Sequence, residues 1–326
     1  MIDDYVLAAD VGGTNLRIAA VSKTGELLEQ SSVATPRDGG AVEVVEAIAR
    51  AAETCLSGFG ENRRPAAFGL AVAALVNPRE GLILSSPNLP VLNDLPLARD
   101  LTDRLNINVV LENDATAAAI GEHWLGSSRA AESSIFVTLG TGIGGGLILD
   151  GRTYRGIDGT AGEVGHIVVE PDGEPCGCGS RGCVEQYASG TAIARIARDL
   201  LQENSESSLA GVRDLDAKDV AEAAEGGDAV ALETFRVMGR YLGIALSSLV
   251  DVLNPELVVI GGGAARSWDL FIDHVRSEIR SRSFRHPAER VQIVQASLGE
   301  GAGIFGAARV ALDSLTSTPR QQRSSC

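Results

Sequence analysis

Residues 5–21 read YVLAADVGGTNLRIAAV, and residues 134–149 read SIFVTLGTGIGGGLIL. Each is a short apolar run, a turn of glycine and threonine, and a second short apolar run. Apolar runs of this length bounded by glycine fit buried strands. Tyr5 to Asp10 and Leu16 to Val21 form the first pair, and a third strand follows near Leu27 to Val33. Ser134 to Leu139 and Gly146 to Leu149 form the second pair, around Gly140 to Gly145. A unit met at residue 5 and again at residue 134 is spaced too widely for a solenoid, whose period is roughly 20–50. The repeat predicts two related domains.

Helical periodicity is expected over 41–57, 97–105, 115–125, 191–202, 216–225, 228–251 and 302–312. Further strands are expected over 67–72, 108–112, 257–260 and 291–295. The chain is therefore α/β. The smaller domain is expected at 1–114 plus 302–315 and the larger at 115–301, with a disordered tail at 316–326.

With 326 residues, 44% of them hydrophobic, the chain can bury two cores without cross-links. No apolar run approaches the roughly 20 residues needed to span a bilayer. The start, MIDDYVLAAD, lacks the basic segment of a secretory signal. A cytoplasmic protein with no membrane partner is expected. The net charge of −15 disfavours nucleic acid, whose phosphates need a basic footprint. Only Lys23 and Lys218 are lysines, and neither follows a glycine-rich loop, so a Gly-Lys-Ser/Thr phosphate loop is excluded.

Phosphate chemistry must then rest on backbone. In Asp10-Val11-Gly12-Gly13-Thr14-Asn15, glycines let N–H groups approach an anion, and Thr14 adds a hydroxyl. Asp10 can hold Mg²⁺ through water. The bland alternative is an ordinary hairpin turn. Gly140 to Gly146, with Thr141 and Gly142, offers the same chemistry a second time, and Gly261 to Gly263 ends a buried strand where a flat base could lie. Asn113-Asp114 stands at a strand-to-helix junction. An aspartate there stays ionised in the helix field and can accept a hydroxyl proton during phosphoryl transfer. Asn and Asp are equally the favoured helix N-caps, so both readings stand at this point.

Between residues 162 and 185 the chain reads GEVGHIVVEPDGEPCGCGSRGCVE. It gathers three of the five cysteines, Cys176, Cys178 and Cys183, with His166, one of four histidines. Cysteine thiolate and imidazole are the donors of a structural zinc site. A disulfide fits a cytoplasmic chain poorly, and a redox dithiol has two intervening residues where this chain has one. Glu163 and Glu185 flank the metal-type ligands. Cys55 is expected in the core.

These segments together, DVGGTN at 10–15, LENDA at 111–115, LGTGIGGG at 139–146, GEVGH at 162–166 and CGCGSRGCVE at 176–185, resemble the ROK family of repressors, open reading frames and sugar kinases, and within it the bacterial glucokinases. The resemblance runs in order over nearly the whole chain. It implies an actin-like (ribonuclease H-like) two-domain kinase, with ATP and sugar in a cleft between domains, that moves the γ-phosphate of ATP to the 6-hydroxyl of a hexose. By motif, Asp114 is implied as the base, and Asn88, Asn113, Asp114, Glu163, His166 and Glu185 as the sugar site. Gly12, Gly13, Thr14, Asn15, Thr141 and Gly142 are implied at the phosphates, Gly262 and Gly263 at the adenosine, and His166, Cys176, Cys178 and Cys183 as ligands of a structural Zn²⁺. A homodimer is also implied. One departure concerns substrate. Where relatives acting on N-acetylmannosamine carry glycine and arginine, this chain has Ala74 and Leu75. Side chains there favour an unsubstituted hexose such as glucose over a 2-acetamido sugar. The family's repressors carry a helix-turn-helix domain ahead of the sugar-binding half; with the first turn at residue 10, no such domain is expected here.

Overall fold

The computed structural model describes residues 5–36, 39–59, 64–87, 89–203 and 206–316. They fall into two units. The first comprises the described residues of Met1–Leu125, Gly156–Thr160 and Gly301–Cys326; the second comprises those of Gly126–Arg155 and Ala161–Glu300.

In the first unit, β1 (Tyr5–Val11), β2 (Asn15–Ser22) and β3 (Leu27–Ala34) form an antiparallel meander. After α1 (Ala41–Ser57), β4 (Phe68–Val72) returns parallel to β1. A small hairpin follows, β5 (Leu75–Asn77) and β6 (Leu82–Ser85), then α2 (Leu97–Leu105). Next β7 (Val109–Asn113) pairs parallel to β4 and runs straight into α3 (Asp114–Leu125). The sheet order is β3-β2-β1-β4-β7. Central β1 is buried along nearly its whole length, as its unbroken apolar run requires, whereas β3 is a polar edge carrying Glu29, Gln30, Ser31 and Ser32. Cys55 lies on the buried face of α1, and burial pushes its thiol up to about 11.

The second unit repeats the plan. Here β8 (Ser134–Leu139), β9 (Ile143–Leu149) and β10 (Arg152–Tyr154) form the meander. Four helices follow, α4 (Glu185–Ala188), α5 (Gly190–Leu201), α6 (Ala217–Glu225) and α7 (Ala229–Leu253). Then β11 (Leu257–Gly261) pairs parallel to β8; α8 (Trp268–Arg282) and α9 (Arg285–Arg290) lead to β12 (Gln292–Gln295), parallel to β11. The order β10-β9-β8-β11-β12 matches the first sheet position for position. Two copies of one mixed sheet make the actin-like, two-domain α/β fold.

The last helix, α10 (Ala302–Ser314), packs against β1, β4 and α3 of the first unit. Glycines set this packing. A side chain at Gly306 would collide with the Ala117 carbonyl, one at Gly121 with the Ala302 carbonyl, and one at Gly69 with the Ala307 carbonyl. Because α3 is locked to α10, the boundary expected at Asp114 falls instead after Leu125. Gly156–Thr160 joins the first unit because Gly159 sits on Pro78 and the Val76 carbonyl. Apart from Thr316, the tail expected from 316 lies outside the described residues.

Candidate functional site

Asp114 is the first residue of α3, directly after β7. The capping duty falls to its neighbour. Asn113 Oδ1 accepts the Thr116 N–H at 2.9 Å, three residues on, as an N-cap does. The Asn113 amide also donates to the Ala74 carbonyl and to Asp114 Oδ1, both at 3.1 Å. Asp114 Oδ1 accepts the Ala115 N–H at 2.9 Å as well. Half-buried at the N-terminus of the helix, the Asp114 carboxylate is oriented by these donors.

In the first turn, Gly12 donates its N–H to the Asn15 carbonyl at 3.0 Å, and Thr35 Oγ1 donates to the Gly12 carbonyl at 2.8 Å. Gly12 therefore closes the turn, and the groups presented at its tip are Gly13 and Thr14, with Asn15 exposed beside them. Asp10, at the end of β1, lies beside the first turn of α10: a side chain at Gly303 would come within 3.4 Å of its carboxylate.

The second turn is shorter than expected. It spans Gly140 to Gly142, and β9 begins at Ile143 rather than Gly146. Gly140 N–H closes on the Gly142 carbonyl at 2.9 Å. Gly145 belongs to the strand and admits the following loop, since a side chain there would collide with Val164. Gly262, with φ +88°, packs its α-carbon against the Leu139 backbone, while Gly263 has open space on the corresponding side. Both glycines are exposed.

Glu163, His166 and Glu185 gather on the first residue of β9. Glu185 Oε2 accepts the Ile143 N–H at 3.0 Å. The one-turn helix Val164–His166 rests on the same residue, because Gly165 leaves its α-carbon against the Ile143 carbonyl. His166 Nε2 stands 3.9 Å from Glu163 Oε2. Burial raises the Glu163 carboxyl above the ordinary carboxylate range; His166 pulls it down in part, and nearby Glu185 pushes it further up.

On the other side of His166 lies the cysteine cluster. Nδ1 is 3.6 Å from Cys176 Sγ, and the sulfurs of Cys178 and Cys183 are 3.7 Å apart. All four ligand atoms lie within 4.8 Å of one another. A tetrahedral zinc with bonds of about 2.3 Å to sulfur and 2.0–2.1 Å to nitrogen would need separations of roughly 3.5–3.8 Å. The donor set and spacing thus fit zinc, with four protein ligands. The loop is folded for it: Cys176 N–H donates to the Ser180 carbonyl at 2.9 Å, and Gly182, at φ +70°, passes so close to the Glu170 carbonyl that no side chain fits. Burial and the two neighbouring sulfurs push the Cys183 thiol up to about 12, whereas the Ser180 N–H holds Cys178 below the usual thiol range. A cation is what would keep such a set of sulfurs ionised together.

The sequence profile of the ROK family matches residues 6–314. This chain belongs to the ROK family. The glucokinase of Halalkalibacterium halodurans is 36% identical over 312 residues, 94% of each chain. The crystal structure of a ROK family glucokinase from Streptomyces griseus in complex with glucose and AMPPNP superposes with a TM-score of 0.81 at 35% identity, over 95% of this chain and 99% of that one. The xylose repressor of Bacillus subtilis is 30% identical over 246 residues, 76% of this chain and 61% of the repressor.

In this ROK chain Glu163, His166, Glu185 and the three cysteines come together in the second unit, and Asp10, Asn113 and Asp114 lie at strand ends of the first. Asn88 lies outside the described residues. The loop departure reads differently once folded. The Ala74 methyl is buried in the core of the first unit and its carbonyl holds Asn113. Sequence reasoning missed Ile143, which anchors the acidic pair through its backbone. A backbone role leaves no trace in residue type.

Proposed function

We propose that this ROK protein is an ATP-dependent sugar kinase that phosphorylates glucose at its 6-hydroxyl. The observation that carries the reading is the arrangement at Asn113-Asp114. Asn113 takes the cap, which leaves Asp114 as an oriented carboxylate at a helix N-terminus, suited to accept the proton of an attacking hydroxyl. The match to a glucokinase with glucose and AMPPNP bound supports the same assignment.

On this reading Glu163 and Glu185, with His166, accept hydrogen bonds from the sugar hydroxyls, and Asn113 and Asn88 complete the set. Gly13, Thr14 and Asn15, with Thr141 and Gly142, contact the phosphates around turns shaped by Gly12 and Gly140. Gly263, beside Gly262, lies at the adenosine, and Asp10 holds Mg²⁺ through water. His166, Cys176, Cys178 and Cys183 hold Zn²⁺, which when bound cross-links the loop that carries the two glutamates. The enzyme acts in the cytoplasm as a homodimer; among the described residues no helix is long and apolar enough to cross a membrane.

With Ala74 committed to the core, N-acetylmannosamine and N-acetylglucosamine stay as the competing substrates. The repressor relative keeps a sugar-sensing role without turnover as the second reading. An ADP-release assay across glucose, mannose, fructose, N-acetylmannosamine and N-acetylglucosamine separates all of these. Glucose should have the highest kcat/KM. A higher value for an acetamido sugar would reassign the substrate, and sugar binding with no turnover on any of them would support the sensor.

A further inference from the structure

Gln186 follows Glu185 on α4. Its Nε2 donates to Cys176 Sγ at 3.7 Å, a normal length for a hydrogen bond to sulfur, and its backbone N–H donates to the Cys183 carbonyl at 2.9 Å. One half-buried residue thus grips two members of the cysteine cluster. Its carbonyl is held in turn: Arg195 on α5 donates to it at 2.7 Å. The same guanidinium lies 3.6 Å from Glu174, two residues before Cys176, and 3.0 Å from Asp199. Glu174 N–H donates to the Tyr187 hydroxyl at 2.9 Å. Around the thiolate of Cys176, Gln186 is the N–H donor and Arg195 the brace that fixes it.

We infer that Gln186 and Arg195 are positioning residues that set how tightly the cluster retains its metal and, through the adjacent Glu185, how well the sugar is bound. A hydrogen bond to a metal-bound thiolate lowers its charge density and fixes its direction, and partners of this kind are typically worth about 10–100-fold in metal affinity. Glu185 stands with one carboxylate oxygen 3.9 Å from Cys176 Sγ and the other on the Ile143 N–H. Slack at Cys176 therefore moves Glu185 first. The inference rests on the zinc and sugar assignments proposed above.

The test compares wild-type protein with Gln186→Leu, Gln186→Glu and Arg195→Met, each loaded with one equivalent of zinc. Zinc transfer to a chromogenic chelator should be about 10–100-fold faster for Gln186→Leu. It should be faster still for Gln186→Glu, which sets an acceptor against the thiolate, and less affected for Arg195→Met. In the cobalt-substituted proteins the thiolate-to-metal charge-transfer band should move to lower energy in Gln186→Leu. Glucose KM should rise while kcat changes by less than about twofold, and excess zinc should restore KM, which a packing defect would not allow. Wild-type release rates and an unshifted band in both Gln186 variants would overturn the inference. Wild-type protein that carries no zinc and gains none on loading would overturn the zinc assignment itself, and this inference with it.

Discussion

Gly142→Ala isolates the link between the second turn and the acidic pair. The three nearest atoms that a methyl group at this position would meet all belong to Glu185: it would overlap Oε2 and stand 3.3 Å from the carboxyl carbon. Gly142 is not among the residues with positive φ, so alanine brings no backbone strain of its own. The carboxylate must retreat on the order of 1 Å to restore van der Waals contact. Its bond to the Ile143 N–H, now 3.0 Å, is then broken. A hydrogen bond to a charged group is worth about 1.5–3 kcal/mol. At 1.4 kcal/mol per decade, glucose KM should rise by roughly 10- to 150-fold. Because the methyl displaces Glu185 directly, the KM for glucose should rise by a larger factor than the KM for ATP. Steady-state ADP release, varying each substrate in turn, reads both constants. In a Glu185→Gln background the alanine should add little, because the two changes act on one contact. An unchanged glucose KM would refute the reasoning.

Asp114→Asn should retain sugar binding by calorimetry while kcat falls by about 10²–10⁴ or more, as expected for loss of a general base; near-normal turnover would remove Asp114 from that role. Gly306→Ala sets a methyl against the Ala117 carbonyl, a backbone atom that cannot swing away, and should destabilise the protein by about 1–3 kcal/mol in urea unfolding. Asp228 caps α7, accepting the N–H groups of Val230 and Ala231 and bonds from Ser207 and Ser208. Burial pushes its carboxyl up, but these bonds prevail and hold it at about 2. A depressed folded value contributes stability above the ordinary pKa of about 3.9, which is lost as pH falls through 2. Asp228→Ala should therefore cost about 1–2 kcal/mol at pH 7, and the gap from wild type in unfolding midpoints should close between roughly pH 4 and pH 2. Zinc removal by chelation should raise amide hydrogen exchange in 139–145 and 162–190 but leave 5–22 unchanged.

The duplicated sheet was readable because buried strands carry unbroken apolar runs and their turns carry glycine. Helix ends were readable where local chemistry stops a helix: α1 ends at Gly58 and α2 at Asn106, which adopts φ +52°. The β5–β6 hairpin was not, since three-residue and four-residue strands are too short to show a period. Helix α8 is not apparent in the sequence although Phe271, Ile272, Val275 and Ile279 make its buried stripe; Asp273, His274, Arg276, Ser277 and Glu278 fill the positions between them. The candidate metal ligands were visible because cysteine and histidine are rare in this chain. Whether Asp114 is a cap or a base was not decidable from residue type, because Asn and Asp cap equally well. Only the Asn113 Oδ1 bond to Thr116 assigns the cap.

The two turns share a topological position yet are braced differently, and the difference follows from what each unit added after its second strand. The first closes on itself through Gly12 and Asn15 and is tied to the end of its own meander by Thr35. The second borrows its supports: Gly190 N–H and Thr191 Oγ1 donate to the carbonyls of Gly140 and Thr141, and Glu185 holds Ile143. All three of those residues sit just past Cys183, the last member of the Cys/His cluster. The turn assigned to phosphate and the glutamate assigned to sugar are thus anchored to each other through one backbone N–H. A cross-link placed in that loop, rather than at Asp114, stiffens both contacts at once while leaving the carboxylate assigned to proton transfer on the helix that the glycines of α3 and α10 already hold.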